Sequence, residues 1–330
     1  ALALQSPSVG GWKELARTTL GSDGDSIDIG TITSKKYLMF LSYMSDDNGS
    51  LQASLRFNND SSGTDGSSGN YSHSSSTNGG ANWTALYQNK LRFGAGTSNT
   101  QQFCVATLSN NSANEKLMYR HMAYTQSGTL YREETVGKWA NTSTQITDVE
   151  IINTNSGSFD SGNELVILEW DPTDTHTTNF WEELASVDLS GGASTTLTTP
   201  IFTTKKYLMI QFFAEKSVTG DIQPMLRVGN TTIDSGDNYP MRLSVNGTTD
   251  YTTTTGKWGV WTASNKRFET MFIVNNASNF KLSTSKGVGN NSAGQVAPDR
   301  SEFVGKWNNN NQVNIVQLAE KDGSTLGTAT

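Results

Sequence analysis

The sequence predicts an all-β protein made of two tandem antiparallel β-sandwich domains, jelly-roll-like, that arose by internal duplication. Three observations carry this. The first is a repeat of domain length. Trp12-Lys13-Glu14-Leu15-Ala16 returns as Trp181-Glu182-Glu183-Leu184-Ala185, and Lys35-Lys36-Tyr37-Leu38-Met39 returns unchanged as Lys205-Lys206-Tyr207-Leu208-Met209. Leu55-Arg56 returns as Leu226-Arg227, Asn70-Tyr71 as Asn238-Tyr239, and Val136-Gly137-Lys138-Trp139 as Val304-Gly305-Lys306-Trp307. The offsets run from about 168 to 171 residues, far beyond the roughly 20–50 residues of a solenoid repeat and the size of a whole domain. The second is composition, rich in Gly, Ser, Thr and Asn and poor in the Ala, Glu and Lys runs that build helices. The third is a period of two in the apolar residues.

The strands follow in order. Ser26-Ile27-Asp28-Ile29 alternates and stops at Gly30. Lys36 to Met44 is a near-continuous apolar strand, ended by the turn-like Asp46-Asp47-Asn48-Gly49. Leu51, Ala53, Leu55 and Phe57 alternate with polar partners, which turns one face inward. A polar loop runs from Asn58 to Gly69. Gln102–Leu108, Lys116–Tyr124, Ile146–Ile151 and Glu164–Trp170 complete the first half. Tyr207–Phe213, Met225–Val228, Arg267–Val274 and Val313–Leu318 repeat the order. Trp12–Arg17 and Trp181–Ala185 are short helix candidates. About eight strands per half without crossover helices read as a sandwich or barrel.

The predicted organisation is an N-terminal extension over residues 1–11, a first sandwich over 12–171, a linker over 172–180 and a second sandwich over 181–330. One asymmetry stands out. The first half closes with Glu164-Leu165-Val166-Ile167-Leu168-Glu169-Trp170, and the second half shows no full equivalent. A sandwich without its closing strand leaves an unpaired edge. The segment containing Ala1, Leu2, Ala3, Leu4 and Val9 is a candidate exchanged strand for such an edge.

Composition narrows the function classes. The net charge of −7 is unsuited to tracking a phosphate backbone, so no nucleic-acid partner is expected. No apolar run reaches the roughly 20 residues of a spanning helix. The single cysteine, Cys104, excludes a disulfide framework and reads as a small core residue.

Chemistry is sparse. His73, His121 and His176 stand far apart without metal-ligand spacing, and neither half places a histidine where the other does. No P-loop or Gly-x-Ser-x-Gly occurs. Glu133-Glu134 is a carboxylate pair, but neighbours on a strand point to opposite faces and cannot flank one bond. No enzyme and no cofactor are expected, and a glycoside hydrolase ranks third among the functions. Asp60 and Asp65, on a glycine-rich turn, are the candidate Ca²⁺ position, with Asp23-Gly24-Asp25 a second oxygen-bearing turn; neither has EF-hand spacing. Trp83, Tyr87, Trp258 and Trp261 are candidate aromatics for a glycan platform or an interface.

Trp12-Lys13-Glu14-Leu15, Lys36-Tyr37-Leu38-Met39, Leu55-Arg56-Phe57-Asn58-Asn59-Asp60, Gly69-Asn70-Tyr71-Ser72 and Val136 to Ser143 together resemble repeats found in virion structural proteins of phages and environmental viruses. In the second half Arg227-Val228-Gly229-Asn230 replaces the Arg-Phe-Asn run. The resemblance implies a β-sandwich particle component and carries over no catalytic residue. The expected function is self-assembly into a virion component (capsid, decoration or tail) or an extracellular filament. The expected partners are further copies of the chain, with other virion proteins or surface glycans as further ones. The alternative is a carbohydrate- or receptor-binding module.

Overall fold

Period-two alternation becomes strand throughout, and no helix forms among the described residues. The computed structural model describes residues 11–171, 174, 179–216, 223–248, 250–259, 266–290, 298–323 and 325–329. The Ala1–Val9 segment, His176 and Trp261 lie outside them. The chain forms two compact units. Unit 1 holds Ala81–Thr129, Glu133–Glu182 and the chain up to Thr77; unit 2 holds Asn78–Gly80, Leu130–Arg132 and Glu183–Thr330.

Unit 1 contains β1 (Lys13–Thr19), β2 (Ser26–Thr31), β3 (Tyr37–Phe57), β4 (Tyr71–Thr77), β5 (Trp83–Gln88), β6 (Leu91–Ser109), β7 (Lys116–Gln126), β8 (Thr129–Trp139), β9 (Asp148–Asn153) and β10 (Glu164–Trp170). The main layer runs β1-β10-β3-β6-β7-β8-β4-β5, and β2 and β9 join through the second half of β3. Long strands make both layers. The first half of β3 pairs with β10 and with Thr100–Ser109 of β6; its second half pairs with β9 and with the start of β6. Unbent, the stretch from Phe40 to Phe57 would span roughly 55 Å, yet the two rings lie 6.4 Å apart. The strand therefore doubles over the core, and the register shifts between Asp46 and Ser50 and between Gln52 and Ser54 absorb the bend.

The expected turn at Asp46–Gly49 is thus a bulge inside one strand. Gly49 is needed there because a Cβ would come within 2.7 Å of the Gly157 Cα. The helix candidate at Trp12–Arg17 is also corrected. Its residues form β1, in register with β10 from Lys13↔Glu169 to Thr19↔Glu164. The repeat at Trp181–Ala185 is neither helix nor strand. Sheet pairing, absent from the local pattern, decides between the two copies.

Unit 2 contains β11 (Thr196–Thr198), β12 (Tyr207–Lys216), β13 (Pro224–Asn230), β14 (Thr232–Ile233), β15 (Tyr239–Val245), β16 (Tyr251–Thr255), β17 (Lys266–Val274), β18 (Lys281–Asn290), β19 (Asp299–Trp307), β20 (Ile315–Glu320) and β21 (Leu326–Ala329). One sheet runs β16-β15-β19-β18-β17-β12-β21 and the other β11-β20-β13-β14. From β16 to β12 this order reproduces β5-β4-β8-β7-β6-β3 of unit 1. The long β3 is represented by two strands, β12 and β13. Between the sheets lies a core built from Leu208, Phe212, Val228, Tyr239, Trp258, Phe303 and Trp307 among others. Each unit is an antiparallel β-sandwich.

One side chain is duplicated with all its bonds. Asn110 is fully buried. Its Nδ2 donates to Lys35 O at 2.9 Å and Ile146 O at 3.2 Å, and its Oδ1 accepts Ile146 N–H at 2.7 Å. Gln145 Nε2 donates to its carbonyl at 2.7 Å. Asn275, also fully buried, repeats the set with Lys205 O at 3.0 Å, Val313 O at 3.0 Å, Val313 N–H at 2.7 Å and Gln312 Nε2 at 2.9 Å. This amide ties the end of β6 (or β17) to the chain entering its sheet neighbour β3 (or β12) and to the chain entering β9 (or β20). Truncation orphans several buried backbone groups, each costing about 1–3 kcal/mol. Asn110→Ala is therefore expected to destabilise unit 1 by about 3 kcal/mol or more, and Asn275→Ala unit 2 likewise. Asn111→Ala, one residue away and partly exposed, is expected to stay within about 0.5 kcal/mol. Urea unfolding followed by unit-specific amide signals measures all three.

Candidate functional site

The motifs repeated in sequence converge on a carboxylate in each unit. Asp60, in the loop after β3, accepts Trp139 Nε1–H at 2.7 Å and Asn70 Nδ2–H at 2.9 Å, and the Ser62 hydroxyl and N–H. The Tyr71 hydroxyl accepts Phe57 N–H at 2.9 Å and donates toward Asp60 O at 3.2 Å. Unit 2 rebuilds this at Asp234, with Trp307 Nε1–H at 2.8 Å and Asn238 Nδ2–H at 3.0 Å. Tyr239 accepts Val228 N–H at 3.1 Å and donates to Asp234 O at 2.7 Å. Burial opposes ionisation of both carboxyls, but the donors outweigh it and hold each below the ordinary aspartate value. Burial pushes the Tyr71 and Tyr239 phenols up, keeping them neutral. Asn70-Tyr71, Gly137-Lys138-Trp139 and their repeats are therefore scaffold.

A second polar group lies between the layers of unit 1. Glu133, fully buried, pairs with buried Arg120 and with Arg92, whose Nε lies 3.0 Å away. Arg120 also donates to Thr135 Oγ1 at 2.6 Å and to the Phe93 carbonyl. Burial disfavours the Glu133 charge, and the two guanidiniums overcome this and lower its pKa. In unit 2 buried Arg267 pairs with Glu269 at 2.8 Å and reaches Ser301, while Ser285 donates to Glu269. By strand register Ser301 occupies the place of Glu133, and Glu269 that of Cys104. Both cores thus keep one paired charge, built from different positions.

The open surface of interest is the outer face of the main layer of unit 1. Side chains that point away from the core define a groove of about 700 Å³ across β3, β6, β7, β8, β4 and β5. Leu86, Leu117 and Val136 stand in it at 53%, 57% and 55% exposure. At one end Tyr37 stacks on its cross-strand neighbour Trp170 at 5.3 Å, and Trp12 lies 6.3 Å from Trp170. Ser72, Ser74, Thr84, Thr107 and Ser109 supply hydroxyls between them. Lys138 is engaged by Glu115 at 2.8 Å, and Tyr119 donates to Glu134 at 3.0 Å. The copies of Leu117 and Val136 in unit 2, Leu282 and Val304, are fully buried. The same repeat positions are interior in one unit and open in the other. Sequence reading passed over this face; the signal was Leu117-Met118-Tyr119, apolar on consecutive residues, which gives a strand two apolar faces.

The residues singled out from sequence lie elsewhere. Trp83 is on β5 and faces away from the groove. Its ring meets His73 edge-on at 5.1 Å, and Arg92 sits 5.0 Å from its centroid, so one face is already occupied. Tyr87 is 55% exposed, with φ at 52°, and its carbonyl accepts the N–H groups of Gly66 and Gly69, closing the polar loop. Trp258 is a correction: it is 0% exposed, packed edge-on against Tyr239, and cannot present a ring to a glycan or a partner. The structure does not bring these aromatics into one platform. Asp65 accepts Asn89 N–H at 2.7 Å and pairs with Lys90, so a cation at Asp60 or Asp65 would have to displace existing donors. No group of three or more metal-ligating side chains occurs among the described residues. Cys104 is buried and its thiol is pushed up to about 12 by burial. His73 is buried and held down to about 4 by burial and by Arg92 and Arg120. Glu133 faces the core while Glu134 meets Tyr119 on the outer face.

Compared by sequence, the chain matches no family model and no curated protein. Among solved structures it is similar to domains LG4-5 of the mouse laminin alpha1 chain, at 10% identity and a TM-score of 0.18, over 100% of this chain and 92% of that one.

The two carboxylate clusters make an acid-stability prediction. Each folded-state pKa lies below the ordinary aspartate value, so the stability they contribute is full above about pH 4. It is lost as pH falls through the lowered values. Asp60→Asn with Asp234→Asn is expected to lower stability at pH 7 by about 1–3 kcal/mol per site. It is also expected to flatten the decline below pH 4, so that mutant and parent unfolding curves converge toward pH 2. Denaturant midpoints across that range measure it.

Proposed function

We propose that this chain is a structural protein that works by associating with further copies of itself, as a component of a virion or of an extracellular filament. The observation that carries the reading is the open face of unit 1. Leu86, Leu117 and Val136 are more than half exposed beside the Tyr37–Trp170 stack. Contiguous exposed aliphatic and aromatic surface on a rigid sheet marks an interaction site. Its chemistry is that of the core of a protein–protein interface, with aromatics and aliphatics at the centre and hydroxyls around them. A glycan site would instead converge several polar side chains on one aromatic face.

A second copy suits the face for a further reason. The repeat already carries these positions as interior residues at Leu282 and Val304. A face meeting its own two-fold copy also buries each open residue twice in one contact.

Sedimentation velocity between about 1 and 200 μM tests this. The expected result is concentration-dependent assembly, abolished or weakened at least tenfold in Leu117→Lys/Val136→Lys. Because both side chains are exposed, the variant is expected to unfold at the parent's denaturant midpoint. A monomer at every concentration, or unchanged assembly by the variant, overturns the reading.

A further inference from the structure

We infer that unit 1 carries a self-crosslinking site, in which the Lys35 amine and the Asp174 carboxyl condense to an isopeptide bond with Glu169 as the proton carrier. The three side chains meet where the chain enters β3 and leaves β10. Lys35 Nζ is in direct contact with Asp174 Oδ2 and lies 4.0 Å from Glu169 Oε1. An amine, a carboxyl group that it can attack and a second carboxylate beside the amine are the group set that amide formation requires. An ordinary surface ion pair needs only the first two and no buried acid.

Each member is held from a different direction. The fully buried Asn110 donates from Nδ2 to Lys35 O at 2.9 Å and from its N–H to Lys36 O at 2.8 Å. Glu169 sits inside the sheet, between Leu38 of β3 and Lys13 of β1. Asp174 is folded back toward the strand end by its own N–H, which donates to Asp171 O at 3.0 Å. Side-chain exposure is 3% at Glu169, 19% at Lys35 and 27% at Asp174, so little water competes with the amine for the carboxyl. Groups positioned in this way react at effective concentrations of roughly 10⁵–10⁸ M.

The hydrogen bond to Asp174 raises the Lys35 pKa against the effect of burial, so the resting state is the ion pair. Condensation starts from its neutral tautomer. One ammonium proton passes to Asp174 Oδ2, leaving a free amine against a neutral carboxyl. The Nζ lone pair attacks Asp174 Cγ and the N–C bond forms. Glu169 takes a second proton from Nζ and delivers it to the departing hydroxyl; the C–O bond breaks and one water leaves. An ammonium and a carboxylate thus become a neutral amide and water, Glu169 ends as it began, and the balance needs no oxidant or co-reactant. The bond ties the entry of β3 to the exit of β10, just beyond the pair Tyr37↔Trp170. None of the three side chains lines the groove, so this site stands or falls apart from the proposed self-association.

Intact-mass spectrometry of the 330-residue chain, incubated folded at pH 7 and then denatured, reads the bond. The expected mass is one water below that of the sequence, and proteolytic mapping is expected to give a branched peptide joining Lys35 to Asp174. Lys35→Arg and Asp174→Ala are expected to restore the full mass. Lys36→Arg, at the exposed neighbour, is expected to keep the loss. Glu169→Gln, with an unchanged near-ultraviolet circular dichroism spectrum, is expected to form the bond roughly a hundredfold or more slowly. Full mass in the folded parent overturns the proposal. So does a water loss that maps elsewhere, as a succinimide would, or one that proceeds equally in chain kept unfolded in urea. Undiminished bond formation in Glu169→Gln overturns the role of Glu169.

Discussion

A half-buried carboxylate, present once per unit, is the constraint around which each sandwich closes. Asp60 lies in the loop that follows β3, yet its donors come from the start of β4 and the end of β8. Asp234 binds the same way after β13. An indole N–H inside a core must find an acceptor, and an ionised carboxylate is the strongest one available. The tryptophan's packing and the loop's position therefore become a single condition. Tyr71 and Tyr239 extend it, each ring lying in the core with its hydroxyl on the same loop. Asn110 and Asn275 do the equivalent job beside the strand entries. These bonds explain why Asn-Tyr and Gly-Lys-Trp recur while loops and strand lengths drift.

The paired charges between the layers behave differently. Arg120 with Glu133 and Arg267 with Glu269 both satisfy the rule that a buried ion needs a partner of opposite charge. Their positions are not copies of one another. A buried pair is replaceable so long as both members change together, because removing one leaves the other's desolvation uncompensated. The carboxylate clusters, whose partners are an indole, a side-chain amide and backbone N–H, kept the same partners in both units. The duplication has thus kept geometry-bearing bonds and exchanged charge-bearing ones.

Part of this was legible in the residues. The all-β class, the duplication and the strands β2, β3, β6, β7, β9, β10, β12, β13, β17 and β20 follow from alternation and from the repeated motifs, whereas β4, β8, β15, β18 and β19 were not placed. What escaped did so for definable reasons. Asp46-Asp47-Asn48-Gly49 has the composition of a turn, but β6 pairs on both sides of it and the chain passes through as a bulge. Trp258 looked like a surface aromatic because its unit 1 counterpart by pairing is Leu91, an aliphatic, so the repeat did not reveal a core position. Asp60 looked like a cation ligand because its donors, Asn70 and Trp139, lie far along the chain. The open face at Leu117 and Val136 was hidden by the same logic in reverse: an apolar residue on a strand is read as interior unless the second face is counted.

The central claim is that two copies of one scaffold differ in the coverage of one sheet edge. Residue-resolved amide hydrogen exchange by NMR on the 330-residue chain tests it directly. Leu38 to Tyr43, paired on both sides, should be protected at every amide. Leu208 to Phe213, paired with β17 and with no other described strand, should alternate, with every second amide exchanging at least a hundredfold faster than its neighbours. Uniform protection along Leu208 to Phe213 would contradict the account.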